Sequence, residues 1–333
     1  MDCSDILFIW PVAIGRAERL GIVSYRLISV RRCAFSLVEV LVVIAILAVL
    51  MGLLLPAVQR VRETSHQTNC RNNLRQIGLA LQTYYVVRGC LPPAYTWDTS
   101  SPPPRPARIN TYPGWGWAVH ILPFLERNTI TETIQWDHGV EDADMTEVRT
   151  TIIKAYVCPS DTGAGIFTVY HIYGGVICDA ATNSYAGCHG YNEPIGETPY
   201  KGSGIFYRNS SIRLNEIRDG TSTTLAIGER AALFCPVPWA GAISMGTVRT
   251  NPDSPSFVAA VEEAPLMTTA RTSDVPLNDY YSLPYDYYSP HPLAGMFLFA
   301  DGSVRALSFT ISLDVWAAIA TRAGGETISV GDF

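Results

Sequence analysis

The sequence offers few groups built for chemistry. His291 stands between Pro290 and Pro292, with nine residues separating it from Asp301-Gly302, and a histidine beside a carboxylate at a hairpin turn could form an acid–base pair. The structural alternative, which the flanking prolines favour, has His291 bonding backbone in its own loop and Asp301 closing its own turn. Asp219-Gly220 reads likewise as a turn before a strand, with Glu229 as that strand's polar end. Glu141-Asp142-x-Asp144-x-x-Glu147 could hold Ca²⁺, but its spacing matches no complete binding loop, and a solvated acidic face explains it better. Zinc is disfavoured by spacing, since the sequence has no C-x₂-C pair and no paired histidines. H-E-x-x-H, G-x-S-x-G, a Walker loop and a dinucleotide fingerprint are absent as well. The sequence therefore predicts no enzyme, no catalytic residue, no metal and no cofactor, and a surface hydrolase resting on His291 is the third reading. Cysteines at 70, 90, 158, 178, 188 and 235 form an even set that suits an oxidising compartment, whether bridged or as buried thiols. Tyr280–Tyr288 packs five tyrosines into nine residues, either an adhesive or subunit-contact surface or a loop folded over its own core.

Two differently charged parts must position these groups. The 333 residues include 24 Lys and Arg against 30 Asp and Glu, a formal charge of −6. Residues 1–88 carry ten Arg and five acids, net +5, whereas residues 89–333 carry 14 basic and 25 acidic residues, net −11. That balance supplies no basic surface for phosphate, so no nucleic-acid partner is expected. Val40–Val58 holds no charge and is long enough to cross a bilayer as one helix. Glu39, at its lip, is an acid that would cost about 2.5 kcal/mol or more near the centre of a membrane helix, so it either snorkels to headgroups or finds a cation.

Beyond Pro56 the helix is predicted to run to Val87 and stop at Gly89. Cys70, Leu74, Ile77, Leu81 and Tyr84 recur every three or four residues as an apolar stripe that must be buried. Ser100–Pro106 reads as a proline-stiffened loop. Ile166–Tyr173, Thr223–Ile227, Met296–Ala300 and Val304–Ser308 read as strands, the last two as a hairpin around Asp301-Gly302-Ser303. Ser312 is placed to cap a helix over Leu313–Thr321. The predicted fold class is α+β: a long N-terminal helix, half in the membrane and half packed against an antiparallel β-sheet head with long loop insertions.

Two resemblances add to this reading. Arg31-Arg32-Cys33-Ala34-Phe35-Ser36-Leu37-Val38-Glu39, running into Val40-Leu-Val-Val-Ile-Ala-Ile-Leu47, resembles the class III signal of type IV pilins and type II secretion pseudopilins. The resemblance implies cleavage by a prepilin peptidase between Ala34 and Phe35, methylation of the new Phe35 amine, and pairing of Glu39 with the terminal amine of a neighbouring subunit. A desolvated carboxylate in a bundle of apolar helices needs such a partner. Ala34 stands where the signal usually has Gly, and Pro56 falls at the kink-forming proline of pilin helices. The implied domains are a leader at 1–34, a transmembrane and assembly helix at 35–58, its extramembrane half at 59–88 and a β-rich head at 89–333. A leader of this length, with apolar patches such as Ile6–Trp10, points to translation starting at Val30. The implied location is the cytoplasmic membrane, crossed once, with the head extracytoplasmic, in the periplasm or at the cell surface.

The second resemblance covers residues from about 31 to the end. Cys70-Arg-Asn-Asn-Leu-Arg-Gln-Ile-Gly-Leu-Ala-Leu-Gln-Thr-Tyr84, Gly114-Trp-Gly-Trp117, Leu122-Pro-Phe-Leu-Glu126, Tyr156-Val-Cys-Pro-Ser-Asp161, Asp219-Gly220-Thr-Ser-x-Thr224, Gly228-Glu229, the H-x9-DG signature at 291–302 ending in Gly302, and Thr321-Arg-Ala-Gly-Gly-Glu326 are similar to a planctomycete-type prepilin-like family, the domain of unknown function 1559. That family pattern puts Cys70 and Cys158 in its motifs, which implies a bridge between them; Cys178 and Cys188, closing a short loop, are the second candidate pair. The expected function is a structural pilin-like or pseudopilin-like subunit whose partners are prepilin peptidase, other pilin-like subunits and membrane lipid. The alternative is a membrane-anchored surface protein that uses the helix only as an anchor, its head binding an extracellular polysaccharide, another solute or an exported protein.

Overall fold

The computed structural model describes residues 4–11, 25–32, 36–98, 112–192, 201–256, 258–329 and 331. Ala34, Phe35 and the proline-rich stretch 100–106 lie outside the described residues. The chain divides after Arg62 into two compact units.

The first unit contains strands β1 (Ser4–Pro11) and β2 (Tyr25–Arg32), paired antiparallel with Ser4 opposite Arg32 and Pro11 opposite Tyr25. It also contains the first part of helix α1 (Leu37–Arg88). Ser36 starts the helix: its hydroxyl accepts from the Glu39 amide at 3.2 Å, while the Glu39 carboxylate accepts from the Ser36 amide at 2.8 Å. This reciprocal capping box satisfies donors that a helix start leaves orphaned. The apolar side chains that follow, from Val40 through Val58, are all exposed. Leaving a Leu or Val in water rather than burying it forgoes roughly 1.5–3 kcal/mol per side chain, so this surface belongs in lipid. Helix α1 is long and apolar enough to cross a membrane and serves as the membrane anchor. Pro56 lies in its interior, where it leaves the carbonyl one turn earlier, at Gly52, without an amide partner.

In the second unit α1 buries Cys70, Leu74, Ile77 and Leu81 of the predicted stripe, with Gly78 and Ala80 beside them, while Tyr84 is only partly buried. The helix ends at Arg88, and Gly89 follows at φ +76°, a left-handed stop that glycine adopts without strain. Then come β3 (Tyr95–Trp97), β4 (Pro113–Gly116), β5 (Ile166–Tyr170), β6 (Val176–Ala181), β7 (Tyr185–Tyr191), β8 (Leu225–Glu229), β9 (Thr247–Arg249), β10 (Val261–Glu263), β11 (Thr269–Thr272), β12 (Ala294–Phe299) and β13 (Val304–Ser308). The central sheet has the order β11-β7-β8-β12-β13, and β3–β4, β5–β6 and β9–β10 form separate two-stranded pairs. Pairing in the central sheet is antiparallel, as expected, except at its edge, where β11 runs parallel to β7.

The alternation of β12 divides the interior into two layers. Met296 and Leu298 join the large core that includes the α1 stripe. Phe297 and Phe299 point to the opposite face and join a smaller core with Leu307, Tyr287 and Trp316. Trp316 comes from the short helix Leu313–Ala318, capped by the Ser312 hydroxyl as expected, and stacks edge-on against Phe297 and Tyr287 at 5.5 and 5.9 Å. That helix stops short of the predicted Thr321. The β12–β13 hairpin turns at Asp301-Gly302-Ser303 as predicted, with Gly302 at φ +87°. The predicted strand at Thr223–Ile227 begins two residues later, because the hydroxyls of Thr223 and Thr224 are bound to the Asp219 and Gly220 carbonyls and hold those residues in the turn.

Candidate functional site

Segments far apart in sequence converge on His291. Its backbone sits in the loop before β12, where the His291 amide donates to the Ser289 hydroxyl. Its ring touches carboxylates from two other elements. Nδ1 lies 2.5 Å from Glu63 Oε1 on α1, and Nε2 lies 3.2 Å from Glu229 Oε1 at the end of β8. The imidazole and the Glu229 side chain are wholly buried. Burial alone would lower the His291 pKa, but Glu229 first and Glu63 second outweigh it and hold the ring above its ordinary value.

The Cys70–Cys158 disulfide packs against the same ring, with Cys158 Sγ 3.5 Å from Nε2. It joins α1 to the loop after Tyr156, as the family pattern implies. Ser160 donates to Glu63 at 2.9 Å and contacts His66 Nδ1 at 3.2 Å, so two further α1 residues are tied to that loop. Asp161 completes the junction by accepting from the amides of Ala232, Leu233 and Gly163 and from the Ser184 hydroxyl. Glu229 Oε2 accepts from Ser289 and from the Met296 amide, while Glu229 Oε1 is buried with no aligned donor. An ionic group buried this way is tolerable because opposite charge and hydrogen bonds surround it.

Several expectations change here. Among the described residues the His291 side chain bonds no backbone; it bridges two carboxylates. His291 and Asp301 form no acid–base pair, because Asp301 caps the Ser303 amide and faces Arg305 at 3.8 Å. Its role in closing its own turn is as predicted. Glu229 is the polar end of its strand, as expected, and it is also a buried hub. Asp219 does sit at a turn with Gly220, at φ +98°, and its carboxylate also binds the Gly324 and Gly325 amides and the Thr321 hydroxyl, joining two motifs that the sequence keeps apart.

Cys178 and Cys188 are buried and form no disulfide with each other. They lie on β6 and β7, strands of different sheets, and in different cores, so proximity in sequence does not become proximity in space. Burial raises the Cys178 thiol to about 11 and the Cys235 thiol to about 12. The four acids of the suggested Ca²⁺ cluster go to separate partners or to solvent. Asp142 caps Gly139, Glu141 faces the Ser244 amide, Asp144 lies 3.5 Å from His138, and Glu147 is exposed. Burial raises Glu141 to about 7. The tyrosine run splits between both readings: Tyr287 and Tyr288 are core, Tyr285 is half-buried under Arg271, and Tyr280 and Tyr281 are exposed. At the helix start Glu39 serves the capping box, while the cleavage site lies outside the described residues.

Glu63 escaped sequence reasoning because it looks like any polar residue beyond a membrane helix. Glu229 carried a usable signal, since it and Arg230 place two charges inside Leu225-Ala-Ile-Gly-Glu-Arg-Ala-Ala232, a run whose other residues suit burial.

An α+β head packed on the C-terminal half of a long N-terminal helix, together with an N-terminal methylation motif, indicates a pilin-like class of protein. The chain belongs to the family described as protein of unknown function (DUF1559), whose model matches residues 59–314. The prokaryotic N-terminal methylation motif matches residues 30–55 and marks a prepilin-peptidase substrate. No curated protein and no solved structure matches the chain.

Proposed function

We propose that the protein is a non-enzymatic, single-pass subunit of a pilus or type II secretion-like assembly, with its head extracytoplasmic. The observation that carries this reading is the coincidence of the methylation motif at 30–55 with an apolar helix whose lipid-length stretch is exposed. Cleavage falls between Ala34 and Phe35, and the methylated Phe35 amine becomes the terminus. Glu39 is the assembly charge. In the single chain its carboxylate caps Ser36, next in sequence to the amine that cleavage creates. The neighbouring subunit's amine offers it a full positive charge in place of an amide dipole.

A second reading, a surface binding head, draws on a cavity of about 500 Å³ lined by Leu81, Tyr85, Phe206, Leu298 and Asp301-Gly302. Its almost wholly apolar lining suits an apolar solute better than a polysaccharide.

Glu39→Gln separates the two. Glutamine keeps the capping box but removes the charge. Under the assembly reading, cross-linked filament incorporation is lost while membrane insertion persists. Unimpaired incorporation would remove Glu39 from that role, and a mature chain whose terminus is not methylated Phe35, by mass spectrometry, would overturn the processing assignment.

A further inference from the structure

The disulfide, the imidazole and Glu229 are closer together than a structural staple requires. One ligand atom from each of Cys70, Cys158, Glu229 and His291 lies within 4.8 Å of every other, and all four residues are buried. Two separations match a tetrahedral zinc site. Bonds of about 2.0–2.1 Å to nitrogen, 2.3 Å to sulfur and 2.0–2.2 Å to carboxylate oxygen put nitrogen and sulfur about 3.6 Å apart, and nitrogen and oxygen about 3.4 Å apart. The observed values are 3.5 Å from His291 Nε2 to Cys158 Sγ and 3.2 Å from Nε2 to Glu229 Oε1.

Two further observations point to a ligand. Glu229 Oε1 is a fully buried oxygen that meets His291 Nε2 at 3.2 Å as an ion pair but has no aligned hydrogen-bond donor among the described residues. Glu63 holds Nδ1 of the same ring, which leaves Nε2 directed at the cluster. A carboxylate behind the imidazole is the usual support for a metal-bound histidine, fixing its tautomer and orientation. Two sulfurs, one nitrogen and one oxygen form a borderline-soft donor set that favours Zn²⁺ among available divalent ions.

We propose that Cys70, Cys158, Glu229 and His291 form a zinc site in the dithiol form of the chain, with Glu63 supporting the imidazole, so that metal binding and the disulfide exclude each other. The chain is synthesised with thiols, and zinc binding releases one proton from each thiol and, where the imidazole is protonated, a third from His291 Nε2. Oxidation by a disulfide-bearing partner forms the Cys70–Cys158 bond with two electrons from the thiolates. Those electrons reduce the partner's disulfide to two thiolates, and Zn²⁺ departs. The site is a folding intermediate's clamp where zinc is present, and the disulfide replaces it after export.

The test uses the full chain in detergent. A phosphine reductant opens the disulfide, taking oxygen from water to become the phosphine oxide and leaving two thiols. After addition of Zn²⁺ and desalting, elemental analysis is expected to find one zinc per reduced chain and none per oxidised chain. Co²⁺ in its place is expected to give thiolate charge-transfer absorption and the intense visible bands of a tetrahedral site. Glu63→Gln is expected to weaken metal affinity 10–100-fold, as loss of a supporting carboxylate does. Cys158→Ser should abolish the charge-transfer band from that sulfur, whereas Cys178→Ser and Cys235→Ser should leave the spectrum unchanged. Circular dichroism of each reduced chain reports folding independently. A folded, reduced wild type that retains no metal overturns the proposal, and so does a cobalt spectrum that depends on Cys178 or Cys235 instead.

Discussion

His291 Nδ1 lies 2.5 Å from Glu63 Oε1, across 228 residues of sequence. This contact and the Cys70–Cys158 bridge fasten the same stretch of α1 at positions two helical turns apart. One attachment is covalent and the other ionic, and both meet on a single imidazole. The helix is fastened here a few residues beyond its exposed apolar stretch.

Breaking the ionic fastening should destabilise the head strongly. His291→Ala leaves Glu229 as an uncompensated buried charge, a change that costs about 3–5 kcal/mol in comparable buried pairs. Glu63→Gln should cost about 1–2 kcal/mol, because Glu63 is partly exposed and the glutamine can still accept a hydrogen bond. Denaturant unfolding of the full chain in detergent measures both. A His291→Ala loss below about 0.5 kcal/mol would mean that the contact is idle.

Much of the fold was legible in the sequence, as were the Cys70–Cys158 bridge and the motif residues His291 and Glu229, but their convergence with Glu63 was not, for identifiable reasons. The α1 stripe and the β12–β13 hairpin rest on local periodicity and a glycine turn, which sequence displays directly. Strand β7, Tyr-Ala-Gly-Cys-His-Gly-Tyr, lies buried between neighbours on both sides, so it has no polar alternation, and its small residues lack strand propensity. The site joins Glu63, Cys158, Glu229 and His291, each of which has a plausible local explanation. Only the topology that puts the end of β8 beside the start of β12 brings them together.

The raised His291 pKa fixes a sign for pH dependence. The folded state holds the proton more tightly than the unfolded one, so this group's stabilisation is full below its unfolded pKa of about 6.5. It is lost as pH rises through the folded value. The stability difference between wild type and His291→Gln should therefore be largest in mild acid and shrink through alkaline pH. The difference is the quantity to measure, because burial also lowers His189 to about 4, which acts in the opposite direction. A difference that grows with pH would contradict the assignment.

Gly78 answers a close approach rather than a need for flexibility. A Cβ there would lie 2.7 Å from Leu298 Cδ1, in the core between α1 and β12. Helix propensity alone would make Gly78→Ala stabilising by about 1 kcal/mol. Crowding a packed core costs about 1–3 kcal/mol. The net expectation is destabilisation by about 1 kcal/mol, with Gly78→Val worse because its branched Cβ adds bulk beside Leu298 and has lower helix propensity than Ala. Thermal unfolding of the two variants checks the order, and a stabilised Gly78→Ala would show that Leu298 moves aside freely.

Asp219 should govern the C-terminal segment without governing the head. Its carboxylate accepts from Thr321, Gly324 and Gly325, while the Arg322 amide donates to Ser203 and the Arg322 carbonyl accepts from Arg218. Hydrogen bonds to a charged acceptor contribute about 1.5–3 kcal/mol each where they are sheltered, and less where they are exposed, as at the glycines. Asp219→Ala removes all of them at once yet leaves the Ser312 cap and the Trp316 packing intact. The expected result is faster hydrogen exchange and proteolysis confined to residues after Ala320, with the unfolding midpoint of the head shifted little. Protection lost equally across β12 and β13 would mean instead that the carboxylate supports the sheet through its Gly220 turn, because the Asp301 amide donates to the Thr221 carbonyl of that same turn.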